Sequence, residues 1–183
     1  MNYIDIIIIG FCLASDAFAI SLCKGFSFNK VSIKNAIIVS LYFSFFQGLM
    51  TYIGFNLGNN FSSLFVVFEH IIAFILLFII GLDMLYEGIK CNDVIDDRID
   101  FKNMIVLSIA TSIDAFASGV TLSLFDINII FSSFIIMLIT LIMCFIGVII
   151  GSKVFKYLGN KSKILGGLII IILAIKILIE QLF

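Results

Sequence analysis

The chain has 183 residues, of which 62% are hydrophobic and 13% charged, with a net charge of −1. A soluble domain carries about 25% charged residues, so this balance excludes an ordinary water-soluble globule. Near-zero net charge gives no footprint for nucleic acid, and no stretch between the apolar blocks is long enough for a soluble catalytic domain, so the chain does not read as an enzyme.

Six apolar blocks follow one another, at about 3–23, 34–57, 66–89, 103–125, 128–151 and 164–183. Each reaches the roughly 20 residues needed to cross about 30 Å of hydrocarbon. The first has no Lys or Arg before position 24 and too long an apolar run for a signal peptide, so it reads as a retained helix. At its centre lies LASDAFAIS, residues 13–21, with Asp16 as its only charge. Cys12 is four residues earlier on the same face and reads as a small buried filler. The second block carries Ser40, Ser44, Gln47 and Thr51 at i, i+4, i+7 and i+11, a polar stripe that should face the bundle interior. The third begins with Glu69 and His70 at the outer surface and ends with Asp83 and Glu87, the latter beside Lys90 at i+3.

The fourth block repeats the motif of the first. TSIDAFASG, residues 111–119, places Asp114 98 positions after Asp16. The fifth matches the second at a shift of 93, with Ser133, Met137, Thr140 and Cys144 where the second has its stripe. The sixth holds Lys176 with Glu180 at i+4, a snorkelling, ion-paired lysine.

Ten of the eleven basic residues fall in alternate connections: Lys24, Lys30 and Lys34, then Lys90, Arg98 and Lys102, then Lys153, Lys156, Lys161 and Lys163. The positive-inside rule makes these connections cytoplasmic. Both termini are then outside. Three spans per half is an odd number, so the second half must enter the membrane from the opposite side. The expected fold is an all-α membrane protein of six transmembrane helices, arranged as two inverted three-helix repeats. Repeat one covers 1–90, a cytoplasmic connector 91–102, and repeat two 103–183.

Asp16 and Asp114 lie about 13 and 11 residues inside their helices from opposite faces, so at 1.5 Å per residue both sit near the midplane. A carboxylate there costs about 2.5–3.5 kcal/mol on insertion scales and is a functional candidate by default. A protonated Asp pinning two helices together is the plainer alternative for one such residue, and its duplication at matched depth argues against it. Ser15, Ser21, Ser44, Thr111, Ser112 and Thr140, with Gln47 as the bulkiest polar group, complete an oxygen-rich candidate site. Such donors suit hard divalent cations such as manganese, magnesium or calcium. No phosphate-binding Gly-x-x-x-x-Gly-Lys-Ser/Thr occurs, so an ion gradient or the membrane potential must supply the energy. Apolar surroundings favour a protonated carboxyl and a bound dication favours its anion, so metal and proton should compete. Exchange of metal for protons follows as the expected mechanism.

SDAFAISLCKG and ATSIDAFASGV, with FFQGLMTYIG, YEGIK and NKSKILGG, resemble the bacterial manganese efflux pumps, within the superfamily of lysine-exporter-like transporters. The resemblance covers nearly the whole chain. It implies a multi-pass protein of the bacterial cell membrane that exports manganese as substrate and holds no resident cofactor. It also implies that Asp16 and Asp114 are the intramembrane acids, with Gln47 where some members carry Glu. Members often have proline where this chain has Thr51, and Lys24 and Gly25 match the family's Lys-Gly. Other readings of the residues are an exporter of another cation or of an amino acid, or a membrane assembly protein that transports nothing. A zwitterion would need a midplane cation, which the first and fourth spans lack.

Overall fold

The computed structural model describes residues 3–28, 33–61, 74–75, 77–82, 84–86, 89, 101–125, 127–158 and 160–182. All regular structure among the described residues is helical, as lipid requires of a backbone that must satisfy its own polar groups. The helices are α1 (Tyr3–Gly25), α2 (Ile33–Phe61), the short segment α3 (Leu77–Tyr86), α4 (Phe101–Leu122), α5 (Ile129–Leu158) and α6 (Asn160–Leu182). Asp5 in the first turn of α1 and Lys24 in its last complement the helix dipole. Asn128 caps α5, its Oδ1 accepting from the Phe131 N–H at 3.3 Å.

Four helices, α1, α2, α4 and α5, are long and apolar enough to cross a membrane. Six spans were expected. The apolar stretch of α6 is shorter, Ile164–Lys176, because Lys161 and Lys163 lie before it and Lys176 ends it. Most of the outer half of the third block, Glu69, His70, Asp83, Glu87, Lys90 and connector residues 91–100 lie outside the described residues. The α5 helix runs to Leu158, so Lys153 and Lys156 stand on its last turns rather than in a loop. No proline intervenes to stop it. Likewise α4 starts at Phe101, inside the expected connector.

Side-chain burial follows helical periodicity. Ile4, Ile8 and Phe11 on α1, and Phe134, Leu138 and Ile142 on α5, form exposed apolar stripes suited to lipid. The buried core gathers Ala17, Ile20, Phe43, Met104, Val148 and Ile170 from five helices. Cys12 is exposed, not a buried filler. It stands next to the lipid-facing Phe11 at the edge of α1's outer stripe.

Pairing crosses between the halves. The α1 helix packs chiefly along α5, α4 packs along α2, and α2 and α5 pack on each other, while α1 and α4 touch only sparingly. Glycines set these contacts. A Cβ at Gly54 would overlap the carbonyl oxygen of Phe116, and one at Gly147 would lie 3.0 Å from that of Phe18. A Cβ at Gly58 would meet Val120 and Ser123, and one at Gly151 would overlap the carbonyl of Leu22. The contacts recur in pairs: Gly54 and Gly147 differ by 93, Phe18 and Phe116 by 98, and so do Gly58 with Gly151 and Leu22 with Val120. Small residues let helix backbones approach where no water drives them together.

Gly54→Val is expected to push α2 off α4 and cost about 1–3 kcal/mol, the usual penalty for overpacking, and Gly147→Val should do the same between α5 and α1. Both should appear as lower unfolding temperatures in detergent. Ile146→Val, on the exposed face of α5, should leave that temperature unchanged.

Candidate functional site

The polar stripe of α2 is buried: Ser40, Ser44, Gln47 and Thr51 all lie in the interior, and Ser133, Thr140 and Cys144 are buried on α5. Gln47 is the centre of this layer. Its Nε2 donates to the carbonyl oxygen of Leu13 at 3.2 Å, tying α2 to the α1 turn that precedes Asp16. Its Oε1 is buried without a hydrogen-bond partner. Rotating the amide would set two acceptors against each other at Leu13, so the donor end is fixed toward α1. A buried amide oxygen left this way is short of one donor or one cation.

Seven hydroxyls follow one rule. Each donates to a carbonyl three or four residues back in its own helix: Ser44 to Leu41 at 3.2 Å, Thr51 to Gln47 at 2.9 Å, Thr111 to Leu107 at 3.1 Å and Thr140 to Ile136 at 2.9 Å. Ser15 bonds Phe11 at 2.9 Å, Ser21 bonds Phe18 at 2.8 Å and Ser112 bonds Ser108 at 2.7 Å. With its proton committed to the backbone, a hydroxyl has only lone pairs to offer elsewhere. These hydroxyls and the Gln47 Oε1 therefore present acceptors, which suits a cation and disfavours an anion.

Not all the expected residues gather near the carboxylates. Asp16 is half-buried and Asp114 exposed. At about 100° per residue, Leu13 and Thr111 are within about 60° of Asp16 and Asp114 on their helices. Gln47 therefore reaches the right turn of α1. Thr140 is the counterpart of Gln47 at the 93-residue shift. A Cβ at Gly10 would touch Ile139 and Ile136, and one at Gly147 would touch Ser21, which puts Thr140 level with Leu13. Ser21 points instead into the α1–α5 contact, where its Oγ lies against Gly147. Ser112 lies on the far side of α4 from Asp114 by the same periodicity, and Ser15 faces out.

Sequence reading passed over Ser108, and named Ser133 only as a stripe position. Both hydroxyl oxygens are buried without a hydrogen-bond partner. Ser108 falls on the Gly10 position of the first half, so the repeat gave no sign of it. Its i+3 and i+4 spacing to Thr111 and Ser112 was the available signal. Among the described residues there is no group of three or more His, Cys, Asp or Glu.

A family model described as "Putative manganese efflux pump" matches residues 30–178. The chain belongs to this family. A protein of Campylobacter jejuni strain 81-176, named putative manganese efflux pump MntP, is 46% identical, covering 100% of this chain and 99% of its own. Relatives of the same name from Desulfitobacterium hafniense and Clostridium perfringens are 40% and 39% identical, covering 97% and 96% of their own lengths. No solved structure matches.

Gln47→Leu removes both the Leu13 bond and the free oxygen. Stability is expected to fall by only about 0.5–1.5 kcal/mol. Manganese binding, measured by calorimetry in detergent, should weaken about tenfold, or about 1.4 kcal/mol.

Proposed function

We propose that this chain exports divalent manganese from the bacterial cytoplasm in exchange for protons, with Asp16 and Asp114 as the acids that carry the ion. The observation behind this reading is the buried, unpartnered Oε1 of Gln47, whose Nε2 bonds Leu13 in the α1 turn before Asp16. Manganese and efflux come from the names of the relatives. Gln47, Thr111 and Thr140 supply neutral oxygens to the ion, and Ser44 stands behind them on the α2 stripe. Ser15, Ser21 and Ser112 position α1 and α4 rather than touch the metal.

In this reading 1–90 and 103–183 are inverted three-helix repeats with both termini outside. The crossed pairing of α1 with α5 and of α4 with α2 supports it, because exchange of two equivalent halves turns one contact into the other. The paired glycine contacts at constant offsets support it again. The halves then meet at α2 and α5, and the ion sits where they meet.

Charge explains the protons. Moving a dication outward against an inside-negative potential costs about 4.6 kcal/mol per 100 mV, from about 2.3 per charge. Two carboxyl groups that release the metal outside and return protonated move no net charge. Proton and metal compete for the same oxygens, so one cannot be carried with the other.

In a strain lacking its own manganese exporter, this chain is expected to lower cellular manganese and restore growth at high manganese. Asp16→Asn and Asp114→Asn should each fail to do so at equal membrane abundance. In proteoliposomes, manganese flux should move protons the opposite way and should not change when the membrane potential is clamped at zero. Metal flux without proton counter-flux would overturn the exchange mechanism, and retained export in both Asn variants would overturn the assignment of the acids.

A further inference from the structure

The α5 helix is longer than hydrocarbon is thick. Its 30 residues rise roughly 45 Å, against about 30 Å of bilayer core. The excess falls at its C-terminal end, because the helix is uncharged from Ile129 to Ser152 and its first charge is Lys153. Its last turns therefore stand among the headgroups, on the side the basic connections assign to the cytoplasm.

The face that these lysines take decides what they meet. Leu138, Ile142, Ile146 and Ile150 follow one another at i+4 and are all exposed, as a lipid-facing stripe. Lys153 comes three residues after Ile150, and Tyr157 four residues after Lys153, so both continue that stripe. Lys156 stands beside them. All three are exposed, Tyr157 at 86%. The opposite face, with Gly147, Val148, Gly151, Ser152 and Phe155, is buried. The helix ends at Leu158 and α6 begins at Asn160, so Lys161, in the first turn of α6, adds another exposed cation to the corner. No Asp or Glu occurs between Asp126 and Glu180.

We propose that this corner binds an anionic phospholipid of the surrounding leaflet, with its phosphate at Lys153, Lys156 and Lys161 and an acyl chain along Ile142, Ile146 and Ile150. Length is the first reason. From Ile142 to Lys153 the helix rises about 16 Å, close to half of the hydrocarbon thickness and so to one leaflet. Charge is the second. Lysines next to a membrane span attract anionic headgroups additively, and the same cluster repels the ammonium of a zwitterionic headgroup. Lysines in a loop would meet a dissolved anion as readily as a lipid. Here a continuous helix sets them on the face of the exposed isoleucines, which selects a ligand that has a chain as well as a phosphate. Tyr157 suits the same boundary, with an apolar ring and a polar tip.

The chain contains no Trp, so a single introduced Trp reports alone. The full chain carrying Ile150→Trp is placed in phosphatidylcholine vesicles in which a minor fraction of the lipid has brominated chains, which quench Trp on contact. Ile146→Trp, one turn deeper on the same face, serves if the first variant does not fold. Brominated phosphatidylglycerol is expected to quench with an apparent affinity about fivefold or more above that of brominated phosphatidylcholine, since one basic residue at a membrane surface contributes about that factor. Lys153→Gln, Lys156→Gln and Lys161→Gln together should abolish the preference. Ile4→Trp, on the lipid face of the first turn of α1, should show none. Fluorescence is read without metal and with the lipid in both leaflets, so it depends neither on transport nor on sidedness.

Equal quenching by the two lipids at Ile150→Trp, or a preference that survives loss of the lysines, would overturn the site. The acidic connector is the competing occupant. A preference that emerges only with Asp93→Asn, Asp96→Asn, Asp97→Asn and Asp100→Asn would show that the connector covers the corner, and would overturn the lipid site as well.

Discussion

Close contact between helix backbones is the constraint on which this molecule depends. Lipid is as apolar as the side chains that face it, so helices gain little by burying leucine against leucine. What holds α1 to α5 and α4 to α2 is the approach permitted at Gly54, Gly58, Gly147 and Gly151, where the nearest neighbour is main chain at Gly54 and Gly151 and a serine side chain at Gly58 and Gly147. Dispersion falls steeply with distance, so a seam of this kind is worth far more than the same residues a methyl group further apart. The rest follows from it. With α1 and α4 each bound to a helix of the other half, they touch each other only sparingly.

The polar layer shows how a bundle can hold oxygen atoms in hydrocarbon without leaving most of them unsatisfied. Hydroxyl protons return to the helix that carries them, at a small cost in straightness. The Gln47 amide spends its donor on α1. The Gln47 Oε1 is left over as an acceptor. In the proposed site an oxygen already desolvated in this way would need little rearrangement to meet a cation, which is what pre-organisation contributes to binding.

Much of this was legible in the sequence. Long apolar blocks and the basic residues between them marked the helices, and the stripe at Ser40, Ser44, Gln47 and Thr51 marked an inward face that proved buried. The glycine pairs at 93 positions apart were visible as a repeat. Their partners were not, because periodicity assigns a residue to a face but does not say which helix meets that face. For that reason Ser21, the last residue of the first acid motif, turned out to serve the α5 contact. Cys12 was misjudged for a related reason: it is close to Asp16 on the helix, yet just across the boundary that lipid sets. The extension of α5 to Leu158 was hidden because lysines look like loop until their helix is seen to continue beneath them. Ser108 has a glycine at its counterpart, so duplication was silent about it.

The crossed pairing has a consequence for synthesis. The helix that seats α1 ends 133 residues after α1 does, and at about 5–20 residues per second the ribosome needs roughly 10 s to deliver it. During that interval the first half sits in the bilayer with its seam toward Gly147 and Gly151 unfilled and Asp16 already inserted. Neither half can reach its native arrangement by itself. A chain halted after its third helix would expose the face of α1 that α5 covers in the folded protein.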